Sequence, residues 1–125
     1  RFTFLQEAGT VARWLVNILF NNFIYLVKCL CALNYIGMTS RKVKTRIGEH
    51  QSNIKCGRAT TKMTTHFVDK DHSDGDLSWT VIKRLKPSDN ITKQLLEREQ
   101  QWIYRCNTHR VGLNDDVPWN QLNSQ

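Results

Sequence analysis

Phe23-Ile24-Tyr25-Leu26-Val27 is an unbroken run of β-branched and aromatic residues, and after a short link a second apolar run follows, Leu33 to Met38, broken by Gly37. Both are of strand length, and two such runs so close together read as a β-hairpin. The remaining elements arrange themselves around it. Val11, Leu15, Ile18 and Leu19 stand at helical spacing behind Thr10, and Asn21 and Asn22 stop that helix, which spans about 10–20. After the hairpin, Thr39 or Ser40 is placed to cap a helix running to about Lys55, with Val43, Ile47 and Ile54 as its apolar stripe and Arg46 and His50 on the same side. Beyond the Gly57 break, Lys62 to Asp69 makes a short helix. Leu77, Trp79 and Val81 alternate with Ser78, Thr80 and Ile82 as a strand does, and Pro87 ends that segment. Ser88-Asp89-Asn90 then opens the strongest helix, where Leu95, Leu96, Trp102 and Ile103 face a core. The segment after Asn107 reads as loop. Strands and helices mixed outside a regular βαβ rhythm predict an α+β fold, a small three-stranded mixed or antiparallel sheet flanked by helices.

A chain of 125 residues that is 40% hydrophobic has enough for one core, which excludes disorder and argues against a second full domain. The most apolar stretch, Val11 to Val27, carries Arg13, Asn17, Asn21 and Asn22, so no membrane span is expected. Beginning at Arg1 with no signal-peptide pattern, the chain reads as a fragment of a longer protein. The net charge of +7 is uneven: Arg41, Lys42, Lys44, Arg46, Lys55, Arg58 and Lys62 are opposed only by Glu49 across 22 residues, a local +6. Such a window attracts polyanions, nucleic acid first among them, although a solvated helix face has the same composition. The acidic window Asp69 to Asp76 reads as an exposed loop.

Glu99 lies in the middle of the apolar stripe of the strongest helix. A buried carboxylate is costly unless a cation, a metal or a donor stands beside it, and Arg46 is the expected cation. A structural ion pair between two helices and a reactive site both satisfy that requirement.

Phe23-Ile24-Tyr25, then Tyr35-Ile36-Gly37, Arg46, Glu97-Arg98-Glu99 with Trp102-Ile103, and Gly112-Leu113-Asn114 occur in an order that resembles the GIY-YIG nuclease module. Phe23 stands where the family pattern has glycine. The resemblance spans 23–116, leaving 1–22 as a helical extension and 117–125 as a tail. With Cys29 and Cys31 between the two motifs and Arg46-Ile47-Gly48-Glu49-His50 after them, the chain is similar to the endonuclease domain of Penelope-like retroelements. The resemblance implies a divalent cation, magnesium or manganese, held by Glu99, with Arg46 neutralising charge that develops on the phosphate. It also implies Tyr25 as general base, Tyr35 as the residue positioning water or phosphate, Asn114 as a support and His50 as a phosphate contact. Taken without the other blocks, Tyr25 and Tyr35 read better as strand tyrosines with a bonded hydroxyl, the commoner fate of a tyrosine in a hairpin. Arg41, Lys42, Lys44, Lys55 and Arg58 would hold the DNA backbone.

In a basic, nuclear protein the four cysteines stay reduced, so no disulfide is expected. Cys29 and Cys31 with His66 and His72 supply two thiolates and two imidazoles, a set that suits structural zinc, although one intervening residue is shorter than the usual spacing. The resemblance to Penelope-like nucleases implies the same four ligands. Two buried cysteines and two surface histidines are the alternative. The function expected is a metal-dependent DNA endonuclease of the GIY-YIG class, nicking DNA for an upstream reverse transcriptase. Two rivals are an inactive nucleic-acid-binding derivative of such a nuclease and an interaction domain in which Glu99 and Arg46 merely pair.

Overall fold

The computed structural model of the protein describes residues 20–115; the helix expected over 10–20, apart from Phe20, and the tail 117–125 lie outside them. The elements run β1 (Phe23–Cys29), β2 (Asn34–Thr39), α1 (Val43–Lys55), α2 (Lys62–Asp69), a 3-10 turn (Asp74–Asp76), β3 (Leu77–Arg84), α3 (Ile91–Cys106) and α4 (Thr108–Val111). The sheet is ordered β2-β1-β3 and both pairings are antiparallel. The α+β expectation therefore resolves to a purely antiparallel sheet with the hairpin as its centre and one edge.

β1 reads as a continuous apolar run because both of its faces are covered. Phe23, Tyr25, Val27 and Cys29 point to one side, where Val43, Ile47 and Ile54 of α1 and Met63 and Phe67 of α2 pack on them. Ile24 and Leu26 point to the other side with Ile36, Leu85 and, from α3, Leu95 and Ile103. Phe23, the residue in place of the motif glycine, is fully buried in the first of these cores. Alternation along β3 sends Trp79 and Val81 to the first core and Ile82 to the second, and the β1–β3 register shifts between Ile24 and Tyr25.

Two local expectations need correction. Neither Thr39 nor Ser40 caps α1: its N-cap is Lys42, with no side-chain cap, while the Thr39 hydroxyl accepts the Arg41 N–H at 3.0 Å and turns the chain out of β2. The segment after Asn107 is not all loop. Asn107 adopts a left-handed conformation (φ 57°), which ends α3 and lets one more helical turn, α4, begin at a new angle. The expected stop at Gly57 stands, with φ 72° closing the end of α1. Among the described residues no helix is long and apolar enough to cross a membrane.

Candidate active site

Tyr25 and Gly37 face each other across the β1–β2 ladder. A Cβ at position 37 would lie 2.5 Å from Tyr25 Oη and 2.8 Å from its Cε1, so only glycine leaves room for the tyrosine ring to cross β2. The hydroxyl ends 2.8 Å from Nε2 of His50, one turn beyond Arg46 on the buried side of α1. His50 is 1% exposed. The structure seats this histidine inside, against Tyr25, on the same helix face as the apolar stripe. Tyr35 closes the group, its ring 5.5 Å from His50 and 6.3 Å from Tyr25 between centroids.

The electrostatics follow from this burial. Desolvation, with Tyr35 nearby, pushes the Tyr25 phenol well above its ordinary range, and Arg46 only partly opposes it. Tyr35 is pushed up to about 12 by burial and then by Glu99. His50 is lowered to about 4 by burial and then by the Arg46 charge, so its ring is neutral at physiological pH. Glu99 is raised to about 7 by burial, while Arg46, the Gln100 side chain and the Met38 backbone pull it the other way.

Arg46 does not pair directly with Glu99. It donates from Nη1 to Glu49 Oε1 at 2.8 Å, and Glu49 also receives both Nη groups of Arg41, each at 2.7 Å. The two arginines hold Glu49 down to about 2. In the sequence Glu49 is the one carboxylate of a basic window and part of the Arg46-Ile47-Gly48-Glu49-His50 block, and its i,i+3 spacing from Arg46 is a recognised pairing distance. Arg41, expected on the DNA backbone, is instead engaged by this carboxylate. Lys42, Lys44, Lys55 and Arg58 are exposed, on or beside α1.

Asn114 acts at the edge of the sheet. Its Oδ1 accepts from the Ile36 N–H and the Thr108 hydroxyl, and its Nδ2 donates to the Ile36 carbonyl, all at 2.7 Å. Leu113 N–H adds a bond to the Asn34 carbonyl at 2.8 Å. The segment therefore seals the free edge of β2 on either side of Tyr35. Gly112 is needed on the way, because a Cβ there would lie 2.7 Å from the Asn34 carbonyl oxygen.

At the far end of β1, ligand atoms of Cys29, Cys31, His66 and His72 lie within 4.8 Å of one another. Cys31 comes from the hairpin turn, which Ala32 closes at φ 74°, and its Sγ is 3.2 Å from Nε2 of His66. Asp71 is left-handed (φ 56°) after α2, and the backbone bond from His72 N–H to the Phe67 carbonyl folds His72 back over His66. His72 Nδ1 faces Asp76 Oδ2 at 4.0 Å, which leaves Nε2 for the cluster.

The family model of the GIY-YIG catalytic domain matches residues 21–114. No curated protein sequence matches the chain. Of the solved structures, the catalytic domain of the homing endonuclease I-TevI is similar with a TM-score of 0.63 and 19% identity, over 78% of this chain and 100% of that one. A mutant of the catalytic domain of the intron endonuclease I-TevI gives 0.65 at 18% identity, over 79% and 97%. At such identities the likeness speaks for the fold, and it is the same three-stranded antiparallel sheet with helices. With the family model covering most of the chain, and with Glu99 on α3 within electrostatic reach of Tyr25, Tyr35 and Arg46, the chain belongs to the GIY-YIG family and is a nuclease.

Proposed function

We propose that the chain is a metal-dependent DNA endonuclease domain of a retroelement protein, similar to those of Penelope-like elements. It nicks DNA in the nucleus to leave a 3′-hydroxyl for an upstream reverse transcriptase. The observation that carries this reading is Glu99, a partly buried carboxylate raised to about 7, with no cation within ion-pair distance among the described residues. A carboxylate with no ion-pair partner, beside two tyrosines and an arginine, suits a hard divalent cation, which keeps its waters and needs few protein ligands. Magnesium or manganese, when bound, supplies Lewis-acid stabilisation of the phosphate.

The protein's own residues do the rest. Arg46 neutralises charge building on the non-bridging oxygens. Tyr25 is a phenol at neutral pH, bonded to a neutral His50; as general base it would take the water's proton from its phenolate form, which Arg46 and a cation held by Glu99 would favour. Tyr35 orients water or phosphate, and Asn114 holds β2 beneath it. Lys42, Lys44, Lys55 and Arg58 track the DNA backbone. Zinc bound by Cys29, Cys31, His66 and His72 ties the hairpin to α2, and four protein ligands leave it no open position, which makes that role structural.

A derivative that only binds nucleic acid would have no reason to keep Tyr25, Tyr35, Arg46, Glu99 and Asn114 together. Plasmid nicking with magnesium, wild type beside Glu99→Ala, tests the reading. Wild type should produce nicked circles and the variant none, with DNA affinity kept within a few-fold. Equal nicking by both proteins, or equal loss of cutting and binding, would overturn it.

A further inference from the structure

We propose that Glu49 and Arg41 form a positioning relay for Arg46: Arg41 fixes the Glu49 carboxylate, and Glu49 fixes the plane of the Arg46 guanidinium in the active site. The inference rests on the nuclease reading above. It begins from a geometric oddity. Arg41 and Glu49 are half-exposed, with side-chain exposures of 53% and 39%, yet they meet in a two-bond fork, both contacts at 2.7 Å. Exposed ion pairs add little to stability, so the value of this one lies in what it holds. It holds Arg46, whose Nη1 reaches the same Oε1 that Arg41 Nη2 occupies.

Arg46 has the least exposed side chain of the trio, at 32%, and its charge reaches Tyr25, Tyr35, His50 and Glu99. A guanidinium bonds through fixed, coplanar N–H directions, so anchoring one edge aims the others. Glu49 grips Nη1 and leaves the remaining donors free, with a hydrogen bond reaching Tyr25. Without it, the long arginine side chain samples several rotamers, and its fork meets a phosphate only part of the time. Without Arg41, Glu49 is itself free to swing. The trio carries a net +1, so Arg41 offers DNA much less than an unpaired lysine does.

Steady-state nicking and DNA binding by the full chain test the relay in Glu49→Ala, Glu49→Gln, Arg41→Ala and the double variant. Displacement of a catalytic group by about an ångström costs up to roughly 100-fold, so Glu49→Ala should lower kcat by roughly 10- to 100-fold with KM within about threefold. Glu49→Gln keeps one acceptor oxygen for Arg46 and should recover part of that loss. Arg41→Ala should lower kcat less, and the double variant should be no worse than Glu49→Ala alone. Lys44→Ala should instead reduce the salt dependence of DNA binding by about one unit of slope, whereas Arg41→Ala should leave that slope unchanged.

Unchanged or raised kcat in Glu49→Ala would overturn the relay, as would additive losses in the double variant or a lowered salt slope in Arg41→Ala. Side-chain NMR of the Arg46 guanidinium keeps the two readings separate. Slow rotation of its N–H groups in wild type, lost in Glu49→Ala and Arg41→Ala, upholds the relay even if wild type fails to nick DNA. Equal rotation in all three proteins refutes it.

Discussion

Two titrating side chains in the tyrosine cluster set opposite pH limits on the metal-free protein. His50 has a folded pKa near 4, below its ordinary value of 6.5, so the folded state resists its protonation. Its contribution is complete above about pH 6.5 and lost as pH falls toward 4, an effect of roughly 3 kcal/mol. Glu99 is raised from 4.5 to about 7, so its contribution is complete below pH 4.5 and lost as pH rises through 7. Glu99→Gln should therefore stabilise the metal-free protein by roughly 2 kcal/mol at pH 8 and by little at pH 4.5. Thermal melts at the two pH values check this; equal gains at both would mean that Glu99 carries no burial cost. Gly37→Ala is the steric counterpart. A methyl group inside contact distance of the Tyr25 ring should cost roughly 1–3 kcal/mol and displace the hydroxyl from His50. Nicking should fall far more than the melting temperature does.

At the level of elements, the site depends on how β2 is held. The strand is the sheet edge, and Asn114 satisfies both outward backbone groups of Ile36 together with the Thr108 hydroxyl. Asn114→Ala leaves these buried groups unpaired and should cost about 3 kcal/mol, whereas Asn114→Asp keeps the acceptor but loses the donor to the Ile36 carbonyl. Denaturant melts of both variants test the ranking, and an alanine variant as stable as wild type would show that water replaces the side chain. The elements themselves were largely legible in the sequence. The alternation in β3, the apolar stripes of α1 and α3 and the Gly57 stop are local signals, and local signals survive without tertiary context. The α1 cap and α4 were not legible, because Thr39 found a backbone partner two residues on and Asn107 needed a left-handed turn that its identity permits without demanding. The site divides the same way. His50 and Arg46 were legible as neighbours on one helix face, but the bond from His50 to Tyr25 spans 25 residues, and no periodicity reports it. Thr108 and Gln100 were missed because a buried polar side chain has no sequence signature apart from its partner.

The molecule as a whole has one strand running between its two chemical centres. Tyr25 and Cys29 lie on the same face of β1, four residues or roughly 13 Å apart. If zinc joins ligands from segments 35 residues apart, its binding free energy becomes folding free energy for the whole domain. Purified protein should contain one zinc per chain, and a chelator should lower the melting temperature of the entire domain. Magnesium should not restore it, since a hard ion competes poorly for sulfur and nitrogen. Elemental analysis without zinc, or an unchanged melting curve after chelation, would leave the hairpin held by packing alone.

The bond from Asn114 to Ile36 has a further meaning during synthesis. Its partners are 78 residues apart, and the asparagine lies near the end of the family-matched segment. At translation rates of about 5–20 residues per second, β2 waits roughly 4–16 s for its edge to be sealed. Over that interval the strand carrying Tyr35 lacks the partner for its outer edge. A ribosome stalled before residue 114 would therefore present the tyrosines without the brace that sets their spacing. A product truncated before Asn114 should thus nick DNA less than the full domain even though it retains both tyrosines, Arg46 and Glu99.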